Sequence, residues 1–259
     1  MKIALAALLT ALVIGLVLGP VLVPALKWLK FGQTIRTDGP SRHLQKAGTP
    51  TMGGIIFIIA FVVSCLIWGF YSKELFIVMG AVLAFGLVGF LDDFIKVALK
   101  RSLGLKAREK LVGQFFFAFL FVYLVCQVLG RGTDIIIPGL DYRLELGWFY
   151  YALISVCVVF LVNAVNLTDG LDGLCSGISF LVFLGYMIIC LLAIQNPPVA
   201  DMHYLDMAIA AGALAGGCLS FLAVNHYPAK VFMGDVGSLA LGGGAAIFMI
   251  MTKTEVISV

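Results

Sequence analysis

Three groups of acidic residues in this chain are spaced and flanked in ways that suit chemistry on phosphates. Asp92 and Asp93 are adjacent, a second group lies in residues 166–173 (Asn-Leu-Thr-Asp-Gly-Leu-Asp-Gly), and Asp235 stands in Gly-Asp-Val-Gly-Ser, residues 234–238. Magnesium in proteins is typically held by one or two carboxylates together with substrate phosphates. Catalysis of phosphoryl transfer consists mostly of positioning and charge neutralisation. The three groups therefore predict phosphoryl transfer from a soluble donor.

Asp92 and Asp93 directly follow a long apolar run. Neighbouring residues of a helix point about 100° apart, so at most one of the two can face a given neighbour directly. Two carboxylates at the end of a membrane segment repel each other and are costly to desolvate, and a divalent cation or a lysine such as Lys96 would relieve both costs. A pair of solvated acids is the alternative. Acids at a helix C-terminus oppose the helix dipole, so we favour a functional role.

The second group combines amides and acids at intervals of three residues. Its members are Asn163, Asn166, Asp169 and Asp172. A helix would show these side chains on one side, and the glycines between them would let backbone approach a nucleotide or a metal-linked phosphate. The stretch lacks the ligand pattern of a calcium loop and its terminal Glu. A plain turn is the remaining alternative.

Residues 225–238 lead into the last predicted helix. Gly234, Gly237 and Ser238 would present backbone N–H groups at the positive end of that helix. Asp235 beside a phosphate bound there is the arrangement expected for magnesium, and a simple helix-start acid is the alternative. Phe232 would either stack on a base or anchor the chain at the membrane interface.

A basic, glycine-rich loop precedes the second predicted helix at residues 46–54, Lys-Ala-Gly-Thr-Pro-Thr-Met-Gly-Gly. Its Gly and Thr residues would leave backbone N–H groups free at a helix start, where they would form an anion seat, and Lys46 would add charge for a phosphate. An ordinary basic loop that touches anionic lipid headgroups is an equal alternative.

The elements that must position these residues are membrane helices. The chain has 259 residues, 62% of them apolar and 12% charged, whereas soluble domains have about a quarter charged residues. A helix needs about 20 apolar residues to cross the bilayer core. The pattern predicts one all-α, polytopic domain over residues 1–259 with about eight spans. We place them at 3–26, 53–71, 75–97, 111–130, 147–166, 174–195, 205–224 and 238–252.

Basic residues are divided unevenly among the predicted loops. The loops at 27–52, 92–110, 166–173 and 225–237 hold twelve of the 17 Lys and Arg residues, while the other loops and both termini hold five. The positive-inside rule places the first set in the cytoplasm. The acids would then lie at the cytoplasmic membrane edge, facing an acceptor from the membrane, and both termini would lie outside.

Two other features carry no predicted chemistry. Residues 131–147 contain a β-rich run, a Pro-Gly turn and an alternating run, which predict a small extracytoplasmic hairpin. The six cysteines lie in apolar runs without metal-site spacing, so they predict neither a disulfide framework nor a metal site. A transporter with intramembrane acids is a rival function. Transport sites usually lie near the bilayer midplane, whereas these acids lie at span ends.

Four motifs, in this order along the chain, resemble the phospho-N-acetylmuramoyl-pentapeptide transferase family: Gly48 to Gly54, Asp92-Asp93, Asn166 to Asp172, and Asn225 to Ser238. The wider superfamily of polyprenyl-phosphate N-acetylhexosamine-1-phosphate transferases shares the double Asp, the Asn/Asp loop and Gly-Asp-x-Gly-Ser. The forms Thr-Pro-Thr-Met-Gly-Gly and Tyr-Pro-Ala-Lys-Val-Phe-Met-Gly-Asp favour the muramoyl branch.

The resemblance implies a multi-pass enzyme of the bacterial cytoplasmic membrane. It would transfer phospho-MurNAc-pentapeptide from UDP-MurNAc-pentapeptide to undecaprenyl phosphate, with Mg²⁺, giving lipid I and UMP for peptidoglycan synthesis. Transfer of another UDP-N-acetylhexosamine 1-phosphate to a polyprenyl phosphate is the alternative. The resemblance also allows a homodimer, and it implies membrane lipid but no nucleic acid as a partner.

Residue roles follow from the same resemblance. Asp235 is implied as a catalytic magnesium ligand, and Asp92 and Asp93 as catalytic acids that handle the acceptor phosphate and its deprotonation. Either direct attack by the lipid phosphate or covalent attack by an Asp fits the pattern. Phe232 would stack on uracil. The implied substrate-binding residues are Lys46, Thr51, Lys110, Asn166, Asp169, Gly170, Leu171, Asp172, Asn225 and Phe232.

The family pattern continues beyond the eighth span. Its members have ten spans, and a cytoplasmic loop with a His-His-His cluster follows the region that this chain matches. The 259 residues end at Val259, shortly after the eighth predicted span. We therefore expect this chain to lack the family's C-terminal spans and histidine loop.

Overall fold

The computed structural model describes residues 1–29, 48–99, 104–137, 139, 142–195 and 202–258. Lys46 lies outside the described residues. The helices and strands are α1 Lys2–Trp28, α2 Gly54–Trp68, α3 Lys73–Ala98, α4 Ala107–Gln127, β1 Asp134–Ile137, β2 Tyr142–Glu145, α5 Trp148–Thr168, α6 Leu174–Gln195, α7 Met202–Asn225, α8 Gly234–Met251 and α9 Glu255–Ser258. The helical bundle and the small hairpin are as predicted.

Within the described residues, seven helices are long and apolar enough to cross a membrane. The eighth apolar helix, α2, has 15 residues and is therefore about 22 Å long, shorter than a bilayer core of about 30 Å. The predicted span at 53–71 is too long because the chain leaves the helix at Gly69, which is extended. The buried carboxylate of Asp206 accepts hydrogen bonds from the N–H groups of Phe70 and Ser72, at 2.8 and 2.9 Å, which stabilises this early turn.

Helices α7 and α8 form the centre of the bundle and are buried on most sides, while α1, α4, α5 and α6 keep apolar faces exposed. Small residues allow the central helices to approach their neighbours closely, which is how helices pack in a membrane. At Gly216 of α7, a Cβ atom would lie 2.0 Å from the carbonyl oxygen of Leu8 in α1. The exposed apolar side chains of the outer helices are then a lipid-facing surface.

The elements that carry the predicted site all converge at one end of the bundle. Helices α3, α5 and α7 end there, and α2, α4 and α8 begin there. The prediction that these loops share one face is confirmed for the described residues. The acids therefore lie at helix ends, which argues against an ion pathway through the middle of the bundle.

The opposite end holds the hairpin, in which Asp134 pairs with Glu145 and Ile137 with Tyr142. The Lys253 ammonium, which follows α8, donates to both carboxylate oxygens of Asp134 at 2.6 and 2.7 Å. Burial opposes ionisation of Asp134, but the hydrogen bond and charge of Lys253 hold its pKa below the usual range. The hairpin is thereby tied to the end of the central helix.

Arg131 is the buried centre of this outer network. Its guanidinium donates to the carbonyl oxygens of Ile250 and Asp134, at 2.9 and 2.6 Å, and pairs with the carboxylate of Glu255. The same carboxylate accepts from the Tyr150 hydroxyl at 2.8 Å. Arg131 and Glu255 side chains are 5% and 3% exposed, so neither charge is well solvated.

We predict that Arg131→Met lowers the free energy of unfolding by about 3–5 kcal/mol, because it leaves the Glu255 carboxylate buried without its cation. Denaturant or thermal unfolding in detergent measures this. Arg143→Met is the matched control. Arg143 is 69% exposed and lies 4.0 Å from Asp134, so its replacement should cost less than about 1 kcal/mol. Equal effects of the two variants would contradict the structural role of Arg131.

Candidate active site

A cavity of about 280 Å³ opens at the end of the bundle where the predicted site elements meet. Its lining is polar and comes from five separate parts of the chain. The residues that line it are Thr51, Asp93, Lys96, Asn166, Asp169, Gly170, Leu171, Asp172, Asn225, Phe232, Gly234 and Asp235. Asp92 and Lys110 are not in the lining, but both contact groups that are.

Asp235 is the point where the surrounding elements meet. It lies in the first turn of α8, and its Oδ1 atom accepts a hydrogen bond of 2.9 Å from the Asn166 side chain at the end of α5. Its Oδ2 atom accepts from Lys96 at 3.0 Å and from Lys110 at 2.8 Å. Three helices other than its own thus supply groups that hold the carboxylate, which makes it the best-positioned acid of the cavity.

The side chains of Asp92 and Asp93 point in different directions and contact different parts of the chain. The Asp93 Oδ2 atom accepts from the N–H of Val236, at 3.1 Å, in the first turn of α8. The Asp92 Oδ1 atom accepts from the N–H of Leu105, at 2.8 Å, while its Oδ2 lies 2.5 Å from the Lys96 ammonium. The predicted contact of Lys96 with the double Asp is therefore confirmed.

The start of α8, where we predicted N–H groups from Gly234, Gly237 and Ser238, also presents the N–H of Val236. This N–H donates to the Asp93 carboxylate of the same chain. A position next to a helix N-terminus favours a carboxylate, because the N–H groups and the helix dipole both favour negative charge. Asp93 thus lies beside the helix start at which we expected a substrate phosphate.

The expectation of free N–H groups at the start of α2 is wrong for Gly53 and Gly54. The N–H groups of Gly53 and Gly54 donate to the carbonyl oxygens of Phe232 and Met233, both at 2.9 Å, and the Phe232 N–H donates to Pro50 at 2.8 Å. These bonds join the segment that precedes α2 to the segment that precedes α8. The pairing places Thr51 and Phe232 at the cavity instead.

Residues 163–172 do not form one helical face. Helix α5 ends at Thr168, Asp169 caps it, and the Asp172 carboxylate accepts from the Ala229 N–H at 3.2 Å. Asn163 is still within the helix and faces Gln114 of α4. Asn166, Asp169 and Asp172 nevertheless all line the cavity, because the turn after α5 folds over its entrance.

Asn225 lines the cavity, but its polar atoms are engaged within the chain. Its Oδ1 atom accepts from the N–H of Gly173 at 3.0 Å and from the Ser176 hydroxyl at 3.3 Å. Its Nδ2 atom donates to the carbonyl oxygen of Val231 at 2.9 Å. Asn225 thus holds two cavity loops together, a role that its sequence position alone did not indicate.

Burial raises the pKa of Asp169 to about 7, and the nearby charges of Asp235 and Asp93 add to the shift. A carboxyl whose pKa is raised destabilises the folded state when it ionises. This cost is absent below about pH 4, grows as the pH rises, and is complete above about 7. The acids of the cavity therefore repel one another near neutral pH.

We predict that Asp169→Asn melts at a higher temperature than the parent, measured without divalent cations, by a margin that grows from pH 4 to pH 7 and then levels off. Asp134→Asn is the control. Its pKa is lowered, so this variant should melt below the parent, fully so above about pH 4 and less so as the pH falls further. A constant margin for Asp169→Asn across this range would contradict the assigned shift.

Comparison with known proteins connects this cavity to one family. A model described as glycosyl transferase family 4 matches residues 75–253, and a signature of phospho-N-acetylmuramoyl-pentapeptide-transferases matches residues 46–58. The phospho-N-acetylmuramoyl-pentapeptide-transferase of Desulfitobacterium hafniense is 54% identical over 236 residues, which cover 90% of this chain and 70% of that protein. The chain belongs to this family.

Two further relatives with the same name come from other bacteria. That of Caldicellulosiruptor bescii is 49% identical over 90% of this chain and 69% of its own length. That of a Thermoanaerobacter species is 47% identical over 90% and 70%. The matched family region contains Asp92 and the four acids that line the cavity, and the signature contains Thr51. The chain is thus a membrane phosphoglycosyl transferase of the phospho-N-acetylmuramoyl-pentapeptide-transferase family.

The residues present fit a divalent cation. One carboxylate oxygen each from Asp92, Asp93 and Asp235 lie within 4.8 Å of one another. Oxygen atoms of carboxylates are the ligands that magnesium prefers. In the structure, the Lys96 ammonium contacts all three carboxylates at 2.5, 3.4 and 3.0 Å. The geometry therefore shows a site for positive charge at the position predicted for the metal.

Some residues that build the site were not among those predicted for it. The sequence analysis considered Lys96 as a partner of the double Asp but not as a site residue. It considered Ser238 for its backbone N–H, whereas in the structure the Ser238 hydroxyl accepts a hydrogen bond of 2.7 Å from Asn166. Gly234 has a φ of +75°, and a Cβ there would lie within 2.4 Å of Asp93 Oδ2. The sequence shows a glycine directly before Asp235, but it does not show that this glycine lies against Asp93.

Proposed function

We propose that this protein transfers phospho-MurNAc-pentapeptide from UDP-MurNAc-pentapeptide to undecaprenyl phosphate, giving lipid I and UMP in peptidoglycan synthesis. The observation that carries the proposal is the Asp235 carboxylate, which is held by Lys96, Lys110 and Asn166 beside a polar cavity at the end of a membrane bundle. Membership of the transferase family supports this choice among phosphoryl transfers.

The reaction joins two anions at the membrane surface. An oxygen of the lipid phosphate bonds to the sugar-bearing phosphorus of the donor, and the bond from that phosphorus to UMP breaks, with the electron pair leaving on UMP. Lys96 and Lys110 supply positive charge where negative charge gathers. Phe232 lies in the cavity wall and offers a ring on which uracil would stack.

The charges of the described site favour a further cation, and we propose Mg²⁺. Five acids surround the cavity, at positions 92, 93, 169, 172 and 235, whereas Lys96 and Lys110 bring two positive charges to Asp235. A diphosphate would be repelled by this excess of acids. Asp235, together with Asp92 and Asp93, would hold the metal, which when bound neutralises phosphate oxygens and polarises the reacting phosphorus.

An apolar cavity of about 460 Å³ supports a lipid acceptor. It lies between α5, α6 and α8 and reaches Thr168, the residue that precedes Asp169. An isoprenoid chain would bury apolar surface there while its phosphate reached the polar cavity. The homodimer that the resemblance allows stays a prediction.

We also propose that the cavity faces the cytoplasm and the N-terminus the outside, on the basis of the positive-inside rule. The test places a single cysteine at Tyr227, at the cavity end, or at Tyr142, on the hairpin, in a cysteine-free background. Both positions are exposed. In intact cells, an impermeant thiol reagent should label Tyr142→Cys and spare Tyr227→Cys until the cells are opened. Labelling of Tyr227→Cys from outside would contradict the orientation.

The experiment that tests the function supplies purified protein with Mg²⁺, undecaprenyl phosphate and one UDP-sugar, and it follows UMP release and the lipid product. We expect turnover with UDP-MurNAc-pentapeptide and not with UDP-GlcNAc. Turnover with UDP-GlcNAc alone would replace the proposed donor by the other branch of the superfamily. UMP release without a lipid-linked product would contradict the transfer itself.

A further inference from the structure

A pair of side-chain amides joins α4 and α5 just beneath the Asp235 cluster. The Asn163 Nδ2 atom donates to Gln114 Oε1 at 2.7 Å, and the Gln114 Nε2 atom donates back to Asn163 Oδ1 at 3.4 Å. Asn163 also donates to the carbonyl oxygen of Val159 at 2.7 Å. Gln114 is completely buried. These contacts connect two helices through a fully buried amide on α4 and a partly buried one on α5.

Each member of the pair stands one turn from a residue that holds Asp235. Gln114 follows Lys110 by four residues on α4, and Asn163 precedes Asn166 by three on α5, so each shares a face with its neighbour. Lys110 binds one oxygen of Asp235 and Asn166 binds the other. The amide pair therefore sets the distance between the two helices that grip this carboxylate.

Gln114 lies where α4 first becomes buried. Residues 106–109 are exposed, Lys110 is half-buried, and Gln114 is the first fully buried residue of the helix. An apolar pair could fill the same space, but it would not fix the rotation and register of the helices as directional hydrogen bonds do. Buried polar pairs are known to specify register in other helical assemblies.

We propose that Gln114 and Asn163 are positioning residues of the transferase, which align Lys110 and Asn166 on Asp235. Neither residue lines the polar cavity, so they act through these neighbours and not through substrate. The proposal rests on the proposed function only for its kinetic test, since the alignment of the helices has a readout of its own.

The kinetic test is a double-mutant cycle of Gln114→Met with Lys110→Met, using the UDP-sugar that the parent protein turns over. Gln114→Met should lower kcat by about 10- to 100-fold, with KM for the donor within about threefold, because misplacement by about 1 Å is costly. In the Lys110→Met background, the same change should lower kcat by less than about threefold. The full loss in both backgrounds would overturn the proposal.

The matched control is Gln127→Met. Gln127 also lies on α4 and also donates to α5, through a 2.7 Å hydrogen bond to the Tyr151 hydroxyl, but at the opposite end of the bundle. It should leave kcat within about twofold of the parent. A loss at Gln127 equal to that at Gln114 would show general packing and would overturn the proposal. Asn163→Ser, which removes the partner without adding bulk, must reproduce the loss of Gln114→Met, and full activity of Asn163→Ser would also overturn it.

The structural test needs no turnover. Spin labels at Arg108 and Leu167, two exposed positions near the cavity ends of α4 and α5, report the spacing of the helices in a cysteine-free background. Electron–electron distance measurements should give one narrow distribution in the parent and in Gln127→Met. The distribution should broaden in Gln114→Met and in Asn163→Ser. An unchanged distribution in these two variants would overturn the alignment, whatever the donor proves to be.

Discussion

Asp235→Asn should lower kcat by about 1,000-fold or more, while KM for the donor changes only a few-fold. The substitution removes the charge that Lys96 and Lys110 both contact, and it turns one carboxylate oxygen into an N–H donor. It also removes the proposed metal ligand. Loss of a group that stabilises developing charge appears in kcat rather than in ground-state binding. Single-turnover and steady-state UMP release over a range of Mg²⁺ concentrations measure both constants.

Asp134→Asn provides the control for this loss. Asp134 is also a buried acid that contacts a lysine, but it lies in the hairpin at the opposite end of the bundle. We expect it to lower stability and to leave kcat near that of the parent. Near-normal turnover of Asp235→Asn at ordinary Mg²⁺ would contradict the assignment of the metal to this residue.

The grouping of the site could be predicted from the sequence because membrane segments leave few arrangements open. Successive membrane helices cross the bilayer in opposite directions, so the loops that hold Asp92, Asn166 and Asp235 must lie on the same side of the membrane. The excess of basic residues on these loops pointed to the same set. The structure places all three side chains within one hydrogen-bonded network.

The partners of individual groups could not be predicted in the same way. Whether the N–H groups of Gly53 and Gly54 are free depends on residues that lie 179 positions later in the chain and that pair with them only in the folded bundle. The Val236 N–H is likewise taken by Asp93 of another helix. Local sequence shows where a helix begins but not what fills its first turn.

The side-chain contacts between helices also could not be predicted from the sequence. Gln114 is a single amide in an apolar run, and the sequence analysis grouped its partner Asn163 with the Asn/Asp motif. Spacing by three grouped Asn163 with the cavity residues, whereas the helix ends before the last two of them. The crossing of two helices, which decides such pairs, depends on packing that no local pattern encodes.

Gly89 shows how such a crossing brings the acids together. It lies on α3, one turn before Asp93, and faces the backbone at the start of α8. A Cβ atom at this position would lie 2.0 Å from the carbonyl oxygen of Asp235 and 2.6 Å from the nitrogen of Val236. Since these are backbone atoms, they cannot move aside as a flexible side chain would. Helix α3 approaches α8 this closely because residue 89 has no side chain.

We predict that Gly89→Ala lowers kcat by about 100-fold or more, although residue 89 carries no reactive group. The added methyl must push α3 away from α8, which separates Asp93 from the Val236 N–H and from Asp235, and a shift of about 1 Å in a catalytic arrangement has effects of this size. Overpacking should also lower the free energy of unfolding by about 1–3 kcal/mol. UMP release and thermal unfolding in detergent measure the two effects.

Gly177→Ala is the matched control, since Gly177 lies on α6 and a Cβ there would meet no atom within 4 Å. Alanine is the better helix former, so this variant should be as stable as the parent or up to about 1 kcal/mol more stable, with unchanged kcat. If Gly89→Ala kept the turnover of Gly177→Ala, the close crossing of α3 and α8 would not be what positions Asp93 against Asp235. If Gly89→Ala lost only stability, the crossing would serve folding alone. A selective loss of kcat in folded Gly89→Ala protein is the result that the geometry requires.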